Sequence, residues 1–551
     1  MRLMETFAFA ALSCAISAGC STNKKIAQDV DGGGHGTDDG PAEATVELDV
    51  EPSPYAAGMV LDWASSFGGD QYDSLGGPIP RPGGGMLLGG FHGGTVVFGE
   101  GEANEIELTA GGPHDGLAAS VGADGSVAWV ATGGADDESE FDPLEAWHPL
   151  SEVDGGGVEV CGGFAPGAVI GVGSDNEVEL GPISGTEGTF LARIAPGGTP
   201  ESAQVIADGV SFFCLPVEGG DGFYVAGELW SSATVGPGPL GGKVVSPGGV
   251  ADGQSLVFGR FFGDGTLDWV RVAGSDEADM LTLGVLPGGD LLLAGVRGAE
   301  ALVPDGTGGM IEVGEGGFLA RVDGDGELVW WRGSSSDPPS ACAPLPVMVS
   351  AGPKGDVYLF GSVVGGIGFD DGAGGIEPLE VGGAKTSNLY LVRYDAEGTL
   401  IRARCLATSG SLTTAFTPNG VTALSGGGAI VYGTLSADAV FFADSAETST
   451  AVVVSEDAPQ MPGEPFAAFV GDGVDPVWVK HEKSGGFFGI YNLVQLEDGS
   501  LGVVGAFSTD GSLATPGAEA VLGVGDPNET ILAAHGSFDG FFGRYVPAAG
   551  Q

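Results

Sequence analysis

The stretch Gly288-Gly289-Asp290-Leu291-Leu292-Leu293-Ala294-Gly295 contains a glycine-rich turn, a short apolar strand and a closing glycine. Gly83 to Gly90 has the same order of residues. A glycine at this place in an apolar strand recurs seven times, at Gly90, Gly162, Gly227, Gly295, Gly361, Gly433 and Gly505. We call these the register glycines. Their intervals are 72, 65, 68, 66, 72 and 72 residues, and such regularity predicts an architecture of seven repeats.

Each repeat contains two further marks. One is an Asp-Gly turn followed by a strand with a tryptophan, clearest at Trp129, Trp269 and Trp330, with variants at Trp63 and Trp478. Two repeats lack this tryptophan, at 198–200 and 397–402. The other mark is a strand with an arginine ahead of the turn, at Arg193, Arg260, Arg321, Arg393 and Arg544. The copies at 118–120 and 467–469 lack the arginine.

These marks predict two β-hairpins per repeat, with type I′ turns at the Asp-Gly pairs. Four strands per repeat and no helical pattern are typical of a β-propeller blade. We therefore predict an all-β, seven-bladed β-propeller of four-stranded blades. The first strand, Met59 to Trp63, is expected to complete the blade formed by Val494 to Val546, because this pairing removes an exposed sheet edge.

The N-terminus has the pattern of an export signal. Arg2 precedes an apolar run from Phe7 to Ala18, which is too short to span a bilayer. The run ends in Ser17-Ala18-Gly19-Cys20, which resembles the lipobox of bacterial lipoproteins. That resemblance implies lipidation of Cys20. The alternative is an ordinary signal peptide, cleaved near residues 15–17.

The expected domains follow from these signals. Residues 1–19 form the signal peptide, 20–56 an acidic, glycine-rich tether, and 57–551 the propeller. Within the tether, 44–50 alternates apolar and acidic residues and is compatible with a short strand.

The composition restricts the partners. The net charge is −55, from 74 acidic and 19 basic residues, which argues against a nucleic-acid partner because phosphate binding needs clustered Lys and Arg. We expect a solvated acidic surface and a monomer. An export signal permits disulfides among Cys161, Cys214, Cys342 and Cys405. Three pairings, or buried free thiols, are compatible with the sequence.

The segment around Trp63, with Phe67-Gly68-Gly69-Asp70-Gln71-Tyr72-Asp73 and the strand ending on Gly90, resembles the SBBP-type repeat of bacterial surface proteins. Residues 270–276 are a second copy, and the resemblance covers 59–546. It implies a propeller and gives no activity. The Trp strand is also similar to quinoprotein-like propeller repeats, a group that includes lipid-anchored assembly factors of the outer membrane.

Few residues suggest chemistry. We interpret the repeated Trp as filling space between blades and the repeated Arg as pairing with a turn Asp or backbone carbonyls. Asp323-Gly324-Asp325-Gly326-Glu327 resembles part of a calcium loop, but a tight turn is the preferred interpretation, so we predict no cofactor, with calcium as the alternative. His92, His114 and His535 are candidates for a cluster in space. No catalytic residue is predicted.

Sequences that interrupt the repeat are candidates for binding. These are 135–153, which contains Trp147 and His148, then 230–245 and 445–465. Trp147 and His148 are the candidate partner-binding residues. We expect a lipid-anchored binding or scaffold propeller of the bacterial outer membrane or cell surface, with an unidentified protein or glycan partner. The alternatives are an extracellular enzyme acting on a glycan or another polymer at the channel, and an outer-membrane assembly factor.

Overall fold

The computed structural model describes residues 53–548, with internal gaps at 100–104, 136–145, 154, 218–221, 237–241, 248–254, 276–277, 298–300, 305–309, 314–315, 338–344, 380–385, 411–414, 442–449, 453–462, 485, 509–518, 533–534 and 536–537. A short 3-10 helix, Pro54–Ala57, precedes the first strand. Every other regular element in these residues is a β-strand. The fold is all-β, as predicted.

The strands are numbered in chain order. The first is β1 (Met59–Gly69). The first repeat contains β2 (Ser74–Pro80), β3 (Met86–His92), β4 (Thr95–Phe98), β5 (Ile106–Thr109), β6 (Asp115–Val121) and β7 (Val127–Gly134). The second contains β8 (Trp147–Val153), β9 (Gly157–Phe164), β10 (Val169–Ile170), β11 (Val178–Glu179), β12 (Gly188–Ile194) and β13 (Pro200–Asp208). The third contains β14 (Phe213–Pro216), β15 (Phe223–Leu229), β16 (Ala233–Val235), β17 (Lys243–Val245), β18 (Ser255–Phe261) and β19 (Leu267–Ser275).

The fourth repeat contains β20 (Ala278–Val285), β21 (Leu291–Arg297), β22 (Ala301–Pro304), β23 (Met310–Val313), β24 (Gly316–Val322) and β25 (Leu328–Asp337). The fifth contains β26 (Leu345–Ala351), β27 (Val357–Val364), β28 (Gly366–Asp370), β29 (Ile376–Leu379), β30 (Ser387–Tyr394) and β31 (Leu400–Ser409). The sixth contains β32 (Phe416–Ala423), β33 (Ala429–Leu435), β34 (Ala439–Phe441), β35 (Thr450–Val452), β36 (Glu464–Val470), β37 (Pro476–His481) and β38 (Lys483–Ser484). The last contains β39 (Phe487–Gln495), β40 (Leu501–Ser508), β41 (Ala520–Leu522), β42 (Thr530–Leu532) and β43 (Asp539–Pro547).

The strands form a seven-bladed β-propeller, which confirms the predicted fold. Blade 1 has four antiparallel strands in the order β2-β3-β6-β7, which we call strands A to D from the channel outwards. Blades 2 to 6 follow the same rule, and blade 7 consists of β39, β40, β43 and β1. The hydrophobic clusters lie between adjacent blades, since one cluster combines Leu389 of blade 5 with Phe466 of blade 6.

Blade 6 is a sheet of four strands as predicted, and each of the other six blades gains two more strands. The hairpin between strands B and C of one repeat pairs with strand D of the preceding blade, so that β10 and β11 extend blade 1 to six strands. The same exchange occurs around the ring, with β38 joining β41 and β42 beside blade 6. The predicted insertion at 230–245 is therefore wrong, because β16 and β17 within it are the hairpin that every repeat contributes.

The N-terminal strand closes the ring as predicted. β1 pairs with β43 from Met59↔Pro547 to Phe67↔Gly540. The turn between β41 and β42 fastens the outer edge of β1. Asp526 Oδ2 accepts the Leu61 amide at 2.7 Å, and Asn528 Nδ2 donates to the Asp62 carbonyl at 2.8 Å. Backbone groups at the edge of the last sheet are thus satisfied.

The register glycines lie in strand B, opposite a bulky residue of strand C in most blades. Gly162 pairs with Phe190 and Gly505 with Phe541. A Cβ at Gly505 would lie 2.6 Å from Phe541 Cε1, and one at Gly162 would lie 2.7 Å from the Ala146 carbonyl oxygen. Only glycine leaves room there for the ring and the neighbouring strand, so this position repeats most strictly.

The repeated Trp and Arg join one blade to the next, as predicted. Trp330 Nε1 and Arg321 Nη1 both donate to the carbonyl of Ala396, in the C–D turn of the next blade, at 2.9 and 2.6 Å. Arg321 also bonds Asp290 in its own blade. Trp63 and Arg544 share the Ala123 carbonyl in the same way, as Trp269 and Arg260 share that of Gly324. Each shared carbonyl is an inter-blade joint.

The Asp-Gly turns are not the predicted type I′ turns. At 122–126 only Gly125 has positive φ, at 86°, and its amide donates to the Gly122 carbonyl. This is a type I turn followed by a left-handed glycine that forms a bulge. Gly326 takes the same conformation against the indole of Trp269, because a Cβ there would lie 2.6 Å from Trp269 Cδ2.

In blade 5, which lacks the tryptophan, both partners of the joint change. Arg402 takes the tryptophan position in blade 5, and Arg404 beside it lies 3.1 Å from Asp475 of the next turn. Val474 then takes the left-handed position with φ 58°, and its side chain is fully buried. A β-branched residue is strained at positive φ. The absence of an indole explains how this turn accommodates valine.

One disulfide is formed among the described cysteines, between Cys161 of blade 2 and Cys214 of blade 3, with Cα atoms 6.1 Å apart. It is one of the pairings that the sequence left open. Cys405 is a thiol whose pKa burial raises to about 12. Cys342 lies outside the described residues.

We expect Gly326→Ala to lower the free energy of unfolding by about 1–3 kcal/mol more than Gly288→Ala. Both glycines have positive φ, at 80° and 109°, but only Gly326 contacts an indole, whereas a Cβ at Gly288 meets no atom within 4 Å. Gly288→Ala therefore isolates the left-handed penalty of about 1–2 kcal/mol. Urea denaturation measures both.

The extra loss of unfolding free energy in Gly326→Ala should shrink when Trp269→Ala is already present. The Trp269→Ala background lacks the indole that the new methyl group would meet. Equal costs for Gly326→Ala and Gly288→Ala in the native background would show that the indole does not select the glycine.

Candidate functional site

The innermost strands are the part of the ring in which the repeat breaks down. Adjacent A strands contact one another around the channel. The A-strand residue that pairs with the position just before the register glycine differs from blade to blade: Gly76, His148, Phe213, Thr282, Met348, Gly420 and Asn492. The Trp and Arg of the inter-blade joints recur because they make the same contact in several blades. The inner strands are therefore where blades differ chemically.

Four of these strands carry one extra residue at a bulge, and two of the four bulges hold a polar side chain at the junction of blades 6 and 7. Asn419 and Tyr491 occupy the register shifts of β32 and β39. Asn419 Nδ2 donates to the Ile490 carbonyl at 2.7 Å, and Thr422 Oγ1 donates to the Leu493 carbonyl at 2.6 Å. These polar side chains fasten blade 6 to blade 7 beside the channel.

The structure places the candidate pair Trp147 and His148 on the innermost strand of blade 2. Trp147 is 1% exposed, pairs with the register glycine Gly162, and lies edge-on to Phe190 at 5.5 Å. His148 lies 5.5 Å from the ring of Phe213, and burial lowers its pKa to about 4. Trp147 thus has a packing role, and the binding role of the pair stays a prediction.

Two of the three candidate histidines come together in blade 1. His92 is buried and lies 2.8 Å from Thr132 Oγ1. Its pKa falls to about 4 because of burial and then because of His114. The His114 ring lies edge-on to Phe91. His535 is in the closing blade, where its backbone amide donates to Asp539 at 2.7 Å. The first two are neutral imidazoles at neutral pH.

Asp73 is the most perturbed carboxyl at the junction of blades 7 and 1. It is fully buried and accepts the amides of Gly69 and Gly93, both at 2.9 Å. Burial raises its pKa to about 8, the two amides oppose the shift, and Asp539 adds to it. Tyr72 packs on Phe538, so this segment joins the first blade to the last.

A second buried carboxyl lies between blades 6 and 7. Glu482 accepts the Tyr545 hydroxyl at 2.6 Å and the Val524 amide at 3.0 Å, and burial raises its pKa. Lys480 pairs with Asp526 at 2.8 Å. A mostly apolar cavity beside them, lined by Met59, Trp478 and Tyr545 among others, has room for about one water molecule.

The carboxylates of the calcium-like loop 323–327 bond to groups of the protein itself. Asp323 Oδ1 accepts the amides of Asp325 and Glu327, and Glu327 pairs with Arg271 at 2.9 Å. No group of three or more metal-ligating side chains occurs in the part of the chain that the structure describes. The expectation of no cofactor, with calcium as the alternative, stays a prediction.

Sequence comparison matches this chain to no protein family and to no curated protein. The SBBP-type resemblance therefore rests on its own residues. Among the described residues, no helix is long and apolar enough to cross a membrane.

We expect Asp73 to make the protein less stable as pH rises from about 5 to 8. Its folded pKa of about 8 lies above its ordinary value of 3.8, so the protonated form favours the fold. That contribution is complete at pH values below the unfolded pKa, and it is lost as pH rises through the folded pKa. Urea midpoints at pH 5, 6, 7 and 8 measure the slope.

Asp73→Asn should flatten that slope because the side chain no longer titrates, even if the amide costs stability at every pH. Asp124, which is exposed in the C–D turn of blade 1, provides the control. Asp124→Asn should leave the slope of stability against pH unchanged. An unchanged slope in Asp73→Asn would show that another group carries the pH dependence.

Proposed function

We propose that this protein is a lipid-anchored, non-enzymatic binding or scaffold propeller of the bacterial cell envelope. The inter-blade joints are the observation that supports it. The repeated Trp and Arg, which are the strongest chemical motifs of the sequence, donate to turn carbonyls between blades. These residues hold a rigid ring, and the loops and inner strands on its two faces are left for binding.

The Cys161–Cys214 disulfide supports export, since such bonds persist in oxidising compartments. The lipobox-like sequence before Cys20 supports anchoring, and residues 20–52 would separate the ring from the lipid surface. Cys20 and this tether lie outside the described residues. The resemblance to SBBP-type repeats also favours a surface location.

The two perturbed carboxyls favour binding over catalysis. Asp73 is fully buried and Glu482 is 2% exposed, and both carboxyls accept hydrogen bonds from structural partners. A polymer substrate would not reach them. An enzyme acting on a glycan and an outer-membrane assembly factor remain the alternatives, and no contact described above favours either.

We expect Cys20→Ser to move the protein from the membrane fraction to the soluble fraction of an expressing Gram-negative cell. The hydroxyl cannot form the thioether that holds the lipid. Detergent phase partition and labelling with radioactive palmitate measure the change. Cys14→Ser is the matched control, because Cys14 lies inside the apolar run and should not matter.

Membrane association that survives Cys20→Ser, or a wild-type protein that takes up no palmitate, would refute lipid anchoring. An unlabelled chain in the soluble fraction would then support the ordinary signal peptide.

A further inference from the structure

Trp230 breaks the repeat. It lies three residues past the register glycine of blade 3, just beyond the end of β15. The equivalent residues in the other blades are no larger than valine: Gly93, Ala165, Gly298, Val364, Ser436 and Ser508. The packing of the ring therefore needs no indole at this position, so another role must explain the Trp.

Trp230 is also exposed. Its accessible fraction is 63%, against 7% for Trp269 and 8% for Trp330 in the joints. The neighbouring hairpin adds Val244, which is 67% exposed. Large exposed apolar side chains are candidates for interaction sites, and Trp, Tyr and Arg are the residues enriched at their energetic centres.

The strand beside this hairpin carries a negative charge. Asp208 pairs with Thr234, the second residue of β16, and its carboxylate accepts bonds from Ser184 and Gly185. Burial, the largest single effect, raises the pKa of Asp208, but these hydrogen bonds together outweigh it and keep the pKa below the usual value. The nearest cation on this hairpin is Lys243, whose ammonium donates to the Val270 carbonyl at 3.1 Å. The chain as a whole carries −55.

We propose that Trp230, Val244 and Asp208, the blade 3 platform, bind a cationic polypeptide segment, with a Lys or Arg side chain over the indole. An indole face attracts a cation through its quadrupole, and the Asp208 carboxylate beside the hairpin that follows Trp230 adds to the attraction. The strongly acidic chain favours a basic partner and disfavours an acidic one. This inference rests on the proposed binding function and names its partner class.

The test is calorimetric titration of the full chain with octa-arginine in 0.15 M NaCl. We expect Trp230→Ala to weaken binding about 2- to 5-fold, the effect of an exposed cation–π contact. Trp230→Phe should recover part of the loss because it keeps an aromatic face. Phe262→Ala is the matched control, since Phe262 is an aromatic side chain 37% exposed in the C–D turn at the other end of blade 3.

Equal affinities of wild type and Trp230→Ala, or equal losses in Trp230→Ala and Phe262→Ala, would overturn the platform. A parallel titration with chitohexaose tests a glycan occupant. The cationic partner would also be overturned if Trp230→Ala weakened binding of the sugar but left binding of the peptide unchanged. Neither result would affect membrane anchoring, because the Cys20→Ser experiment decides that separately.

Discussion

The contact between an indole of one blade and the turn of the next is the constraint on which the ring depends. The ring of Trp269 lies against Gly326, and its Nε1 bonds the carbonyl of Gly324 in the same turn. The indole thereby fixes both the distance and the orientation of the following blade. Where Arg402 replaces the indole, Val474 replaces the glycine. In that joint, two residues from different repeats change together.

Exchange of hairpins is the second device that unites the blades. Six repeats send two short strands to the outer edge of the preceding sheet, and the hairpin of the last repeat pairs with β38 beside blade 6. In the closing blade the same hairpin position uses side chains as well, since Asp526 and Asn528 bond the edge of β1. No blade is therefore a separate folding unit.

The sequence predicted the number of blades, the ring closure and the joints, because those features depend on glycines and indoles that repeat strictly. It did not predict the exchanged hairpins, whose strands are as short as Val169–Ile170 and vary in sequence. A signal was present, since Gly171-Val172-Gly173 and Gly523-Val524-Gly525 both precede Asn-Glu in the hairpin turns. The burial of Trp147 could not be predicted, because its place opposite Gly162 depends on pairing across strands. Of the candidate site, the sequence supplied the residue types but not their burial.

Closure by β1 has a consequence for biogenesis. Met59 emerges from the ribosome among the first propeller residues, but its partner Pro547 is among the last. During synthesis, and during any passage through a translocon, β1 therefore stays unpaired with β43 while the other blades assemble. Holdase chaperones that bind extended apolar segments would protect β1 during this interval, and termination before β43 would leave a product with an open ring.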